Sequence, residues 1–248
     1  MKRLACSFVT LFAACGADAH TEPTDEELDD IAMSVASTVR PQGGGGELGA
    51  MLDVSVIARG GMPAGFAPDP TGSVTGQHLG LAYRYQLECR DAHNRVLPQC
   101  GSGTENADVS VTWAGLLDLP YLVMVIERDG AWILNDITPE LLRLDGEGHM
   151  TYESRIVDAN GVTSTYHLDY DASHRAIMIA PNDRWPRSGS VRYDIVATRT
   201  RVTDTTETRE LAVAAELRFN ASGLATISLD DTHAYELNLA TGAITRAD

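Results

Sequence analysis

The sequence predicts an all-β fold: a mainly antiparallel meander of hairpins, as a barrel, a sandwich or a curled sheet, preceded by one short helix. Three observations carry that prediction. Apolar and polar residues alternate with period two in run after run from residue 48 onward. Short turn signals separate the runs, Asn160-Gly161 being the strongest of them. The intervals leave no room for the crossover helices that parallel strands need.

Taken in chain order, Leu52, Val54, Val56 and Ala58 alternate with Asp53, Ser55, Ile57 and Arg59, which predicts a half-buried strand. Leu81, Tyr83, Tyr85 and Leu87 alternate in the same way with Ala82, Arg84, Gln86 and Glu88. Residues 121–126 are apolar on both faces, and Arg128-Asp129-Gly130 is expected to turn the chain into Trp132 to Ile137. That hairpin is the expected centre of the core. Residues 137–145 break the pattern; Thr138 followed by Pro139 predicts a helical turn there. The stretch 137–147 is accordingly a candidate seam between two subdomains. Strand 150–158, the turn Ala159-Asn160-Gly161 and strand 162–170 form the clearest hairpin. Further strands are expected over about 176–180, 190–199, 208–219, 224–229, 233–239 and 243–246. A transmembrane barrel is disfavoured, since 6% aromatic residues do not supply aromatic girdles.

The amino terminus reads as an address. Lys2 and Arg3 precede an uncharged, largely apolar run from Leu4 to Ala14, too short to span a bilayer. It ends in Leu11-Phe12-Ala13-Ala14-Cys15-Gly16. This resembles the lipobox of bacterial lipoproteins. The resemblance covers Leu11 to Gly16 only, and implies removal of residues 1–14, acylation of Cys15 and, with Gly16 after the cysteine, passage to the outer membrane. An ordinary secretory signal cut near Ala17-Asp18-Ala19 is the alternative.

Residues 15–47 then read as an acidic, glycine-rich tether ahead of a β domain over residues 48–248. Thr24-Asp25-Glu26-Glu27 has the form of a capping box, and Leu28, Ile31, Ala32, Val35 and Val39 follow at helical spacing, which predicts a helix over residues 25–39. Two fates are open to it: docking on the β domain, or standing alone as a marginal helix in solution. Gly43 to Gly46 close the segment. Were the 32 residues from Gly16 to Glu47 flexible, their reach would be about 30 Å.

Composition narrows the partners. The formal charge is −16, and the only lysine, Lys2, lies in the signal. The arginines are scattered singly, so phosphate neutralisation, and with it nucleic-acid binding, is disfavoured. Of the four cysteines, Cys6 lies in the signal and Cys15 is the anchor; Cys89 and Cys100 remain. In an exported chain this pair predicts a disulfide closing the loop that contains His93.

No nucleophile elbow, zinc-protease helix, P-loop or dinucleotide-binding glycine pattern is present. His167, Asp169, Asp171 and His174 are the candidate ligand or metal residues; the first two share a strand face and the others fall in the turn expected after it. Calcium is the cation such oxygen-rich groups would take, although the glycine and closing glutamate of an EF-hand loop are missing. Otherwise no cofactor is expected. Asp145, Glu147 and His149 form a second polar group between glycines, and Asp230-Asp231-Thr232-His233 reads as a hairpin turn. Arg184, Trp185 and Arg187 form a candidate recognition loop for a carboxylate or sugar; the alternative is a tryptophan folded back over the sheet edge.

These readings predict an exported, lipid-anchored envelope protein whose β domain binds an envelope protein or small ligand, or serves a structural role. Its rivals are an envelope hydrolase with dispersed carboxylates and histidines, and a calcium-dependent adhesion or recognition module.

Overall fold

The computed structural model describes residues 22–40, 45–119, 122–157, 162–181, 183–203 and 205–247. Cys15 and the turn Ala159-Asn160-Gly161 lie outside the described residues. Two helices, α1 (Asp25–Val39) and α2 (Gly46–Ala58), precede twelve strands. These are β1 (Phe66–Pro68), β2 (Val74–His78), β3 (Leu81–Arg90), β4 (Asn106–Leu119), β5 (Leu122–Asn135) and β6 (Leu142–Val157). They continue with β7 (Thr163–Ile179), β8 (Ser188–Val202), β9 (Thr206–Phe219), β10 (Leu224–Leu229), β11 (His233–Asn238) and β12 (Ile244–Ala247). The twelve strands pair in sequence order, each antiparallel to the next. The sheet does not close: β1 and β12 are its edges, so of the three expected architectures it is the open, curled sheet.

The expected helix is present, and it docks. In α1 the Glu27 N–H donates to Thr24 Oγ1 (3.3 Å) and the Thr24 N–H donates to Glu27 Oε2 (2.9 Å), the reciprocal capping box. Asp25, Glu26 and Glu27 put negative charge on the first turn, where the helix dipole favours it. Leu28, Ile31, Ala32, Val35 and Val39 are buried against the inner face of the sheet or against α2.

Residues 52–59 do not form the expected strand. Residues 52–58 belong to α2, with Arg59 as its C-cap, and the buried positions Leu48, Met51, Val54, Ser55 and Ala58 follow helical spacing. The helix is apolar nearly all round because it packs between α1 and the sheet, and a short apolar run carries no period that separates helix from strand. Gly45 (φ 84°) and Gly46 (φ 64°) allow the left-handed entry, and the Gly46 N–H donates to the Tyr83 hydroxyl at 2.9 Å.

Arg128-Asp129-Gly130 does not turn the chain either. β5 runs straight through it, paired with β4 from Ala107↔Leu134 to Leu119↔Leu122. The β4–β5 pairing closes at Leu119↔Leu122 instead. In place of the helical turn at residues 137–145 there is a tight loop, closed by the Thr138 N–H on the Leu141 carbonyl (2.9 Å) and by the Leu141 N–H on Thr138 Oγ1 (3.0 Å). Leu142 and Leu144 are already buried strand residues of β6, which pairs with β5 from Leu122↔Ile156 to Asn135↔Arg143. The separate strands expected at 162–170 and 176–180 are one strand, β7, with a register shift between Arg175 and Met178 where Ala176 takes φ 49°.

Candidate functional site

Arg128 is the key to the inner face. Along β5 the inward positions are Met124, Ile126, Arg128, Gly130 and Trp132, so strand alternation drives a guanidinium into the core, 2% exposed. Space for it comes from two glycines paired across β5 and β6: a Cβ on Gly130 or Gly148 would collide with the guanidinium. Charge compensation comes from α2. Arg128 Nη2 donates to Glu47 Oε1 at 2.9 Å and Nε donates to Oε2 at 3.3 Å, a two-pronged pair closed from the other side by His174 Nε2, 2.5 Å from Oε1. Trp113 and Trp132 cover the guanidinium, their centroids 4.9 and 5.5 Å away. Burial acts to raise the Glu47 pKa, but Arg128 and His174 outweigh it and hold it down at about 2.

The same device recurs along α1. Glu27 accepts from Arg199 (2.9 Å) and Arg209 (2.8 Å), and Arg209 also donates to the Glu22 carbonyl at 3.0 Å. Asp25 faces His233 (3.1 Å) and Arg246 (3.6 Å). Tyrosine hydroxyls of the sheet donate to three further helix acids: Tyr85 to Asp53 (3.0 Å), Tyr166 to Asp30 (2.7 Å) and Tyr235 to Asp29 (2.6 Å). Burial raises the Asp53 carboxyl to about 6 against the opposing pull of Tyr85 and His78, and raises Asp30 as well. The acidity of residues 25–30 is therefore a set of anchors to the sheet, and of its two expected fates α1 takes the docked one.

The outer face carries the remaining polar groups. Cross-strand register lines up Thr112, Asp129, His149, Asp171 and Asp194 on β4 to β8. His149 Nδ1 lies 3.2 Å from Asp171 and 3.6 Å from Asp169. A shallow trough of about 570 Å³ runs beside this row, lined by Arg84, Thr112, Glu127, Asp129, His149 and Thr151. Next to it lies another of about 640 Å³, with Gly130, Ala131, Gly148 and Ala172 among its lining residues.

Of the expected ligand group, His167, Asp169 and Asp171 project outward from β7, whereas His174 projects inward to Glu47. The four do not come together, because residues 167, 169 and 171 have the opposite parity to 174 on one continuous strand rather than flanking a turn. Among the described residues no three His, Cys, Asp or Glu side chains converge as a metal site. Asp145 accepts from Arg143 Nε (2.6 Å) and from the Ala176 N–H (2.8 Å), tying the β6–β7 irregularity together. Asp230 and Asp231 do form the β10–β11 turn, both at positive φ. Trp185 is folded back, its ring against Gly223, while Arg187 pairs with Asp183 at 2.6 Å and Arg184 is exposed. Cys89 and Cys100 form the expected disulfide.

Sequence reasoning missed Glu47, Arg128, Glu27, Arg199 and Arg209. The signal was available at Arg128 alone, as a charge at an inward position flanked by glycine. No family model, curated protein or solved structure matches the chain.

Proposed function

We propose that the chain is an exported envelope protein anchored through lipid on Cys15, and that its β domain is a non-enzymatic binding or structural module. The observation that carries this reading is the filling of the inner face. A curled sheet offers its concave side to a ligand, and here that side holds α1 and α2, locked by Glu27 and Glu47 onto Arg199, Arg209 and Arg128. The inward histidine and arginines are spent on this packing, which leaves the outer troughs across β3 to β7 for a partner. The Cys89–Cys100 disulfide points to a compartment outside the cytoplasm, as export requires. Metabolic labelling with an alkyne fatty acid tests the anchor. Label on the wild type and none on Cys15→Ser is expected; membrane fractionation unchanged in Cys15→Ser would overturn it.

A further inference from the structure

We infer that one end of the sheet, the rim marked by the residue pairs His78↔Leu81, Leu119↔Leu122, Val157↔Thr163 and Val202↔Thr206, faces and touches the lipid bilayer. This rests on the Cys15 anchor proposed above. Register places these four pairs at one end: Leu81↔Gly115 joins the first to β4, and Leu122↔Ile156 and Thr163↔Val202 join the last three side by side.

Two independent features meet there. The first is chain length. α1 begins at this end, since Glu27 grips Arg199 and Arg209, a cross-strand pair three residues inside the Val202↔Thr206 closure. The Glu22 carbonyl is held by Arg209, so only the six residues from Gly16 to Thr21 lie between Cys15 and a fixed point on the sheet. The seven Cα–Cα steps from Cys15 to Glu22 span at most about 25 Å fully extended, and about 15 Å as a flexible chain. The docking of α1 thus shortens a 32-residue spacer to a leash that keeps this end beside the acyl chains.

The second is apolar exposure. Of the ten large apolar side chains left exposed among the described residues, six lie at this end: Leu79, Leu116, Val123, Val125, Val157 and Val202. Leu116 (52% exposed) and Val125 (59%) pair directly across β4 and β5, and Val202 (59%) lies in one row with Thr163 and Val157. Exposed apolar groups clustered at one pole mark a contact surface. A chain of net charge −16 gains nothing from anionic headgroups. The acyl chains therefore supply residence at the membrane, and the apolar tips fix the orientation.

The test uses the full-length lipidated protein, returned from detergent to phosphatidylcholine vesicles that contain a nitroxide-headgroup lipid. A fluorophore is placed on Val125→Cys or, at the opposite end, on Val96→Cys in the disulfide loop; both side chains are exposed. Severalfold stronger quenching at position 125 than at 96 is expected. Equal or reversed quenching in protein that carries the alkyne fatty acid would overturn the rim alone. Absence of the label would overturn the anchor and the rim with it. Dimers of Cys15→Ser that form through the rim and exclude the fluorophore at 125 from lipid would assign the surface to a second copy and equally end the proposal.

Discussion

A guanidinium in a β-sheet core is stable only while its counter-charge stays beside it, and Arg128 meets Glu47 with two hydrogen bonds inside a cage of Trp113 and Trp132. Removing one partner leaves the other as an uncompensated buried charge. Arg128→Met is therefore expected to destabilise by about 3–5 kcal/mol, as is Glu47→Gln to a smaller degree, whereas the double variant recovers much of the loss. A double-mutant cycle by urea unfolding measures the coupling, and additive single effects would refute the latch. Acid titration separates two carboxylates of α2. Asp53, raised to about 6 by burial, binds its proton more tightly when folded, so its contribution grows more favourable as pH falls through that value. Glu47, lowered to about 2, contributes stability above the usual carboxylate range and loses it only as pH falls towards that value. Melting temperature should thus fall more steeply from about pH 5 to pH 7 in the wild type than in Asp53→Asn, and parallel profiles would refute this assignment.

At the scale of elements, legibility followed how much of an element's form is local. The capping box and apolar stripe of α1 and the hairpin around Asn160-Gly161 are short-range signals, and both elements stand where they were expected, the turn residues themselves lying outside the described ones. α2 failed because its burial is two-sided, so Leu52, Val54 and Val56 mimic alternation inside a helix that Leu48, Met51, Val54 and Ala58 actually pack. β4 is absent from the expected strands although Val109, Val111 and Trp113 alternate inward, because Leu116-Leu117 is apolar at successive positions and blurs the period-two pattern. β5 was cut at Arg128 because charge beside Asp129 and Gly130 is turn chemistry in isolation, and only a partner 81 residues away makes it a strand. The helix entry can be probed by Thr24→Ala, which removes an acceptor from the Glu27 N–H and should cost about 1 kcal/mol by urea unfolding. Glu27→Gln should cost more than Thr24→Ala, because Glu27 also neutralises Arg199 and Arg209. Equal costs would reduce Glu27 to a capping residue.

Across the whole molecule, the helices and the sheet depend on each other over long distances: Glu27 pairs with Arg209 across 182 positions and Glu47 with Arg128 across 81. The sheet is also continuous through the loop at residues 136–141, with β5 and β6 in register from Leu122↔Ile156 to Asn135↔Arg143. β5 cannot open without stripping hydrogen bonds from β6, nor β6 without stripping them from β5. α1 reaches β9 and β11 while α2 reaches β5 and β7, and the two helices pack on each other, so they clamp both halves of the sheet. The chain from residue 22 onward should therefore unfold as one cooperative unit, with calorimetric and van't Hoff enthalpies equal. Two resolved transitions, one of them unmoved by Arg128→Met, would instead establish two subdomains meeting near residues 137–147. Under the single-unit outcome Arg128→Met should lower the entire transition, by about 2–4 °C for each kcal/mol lost.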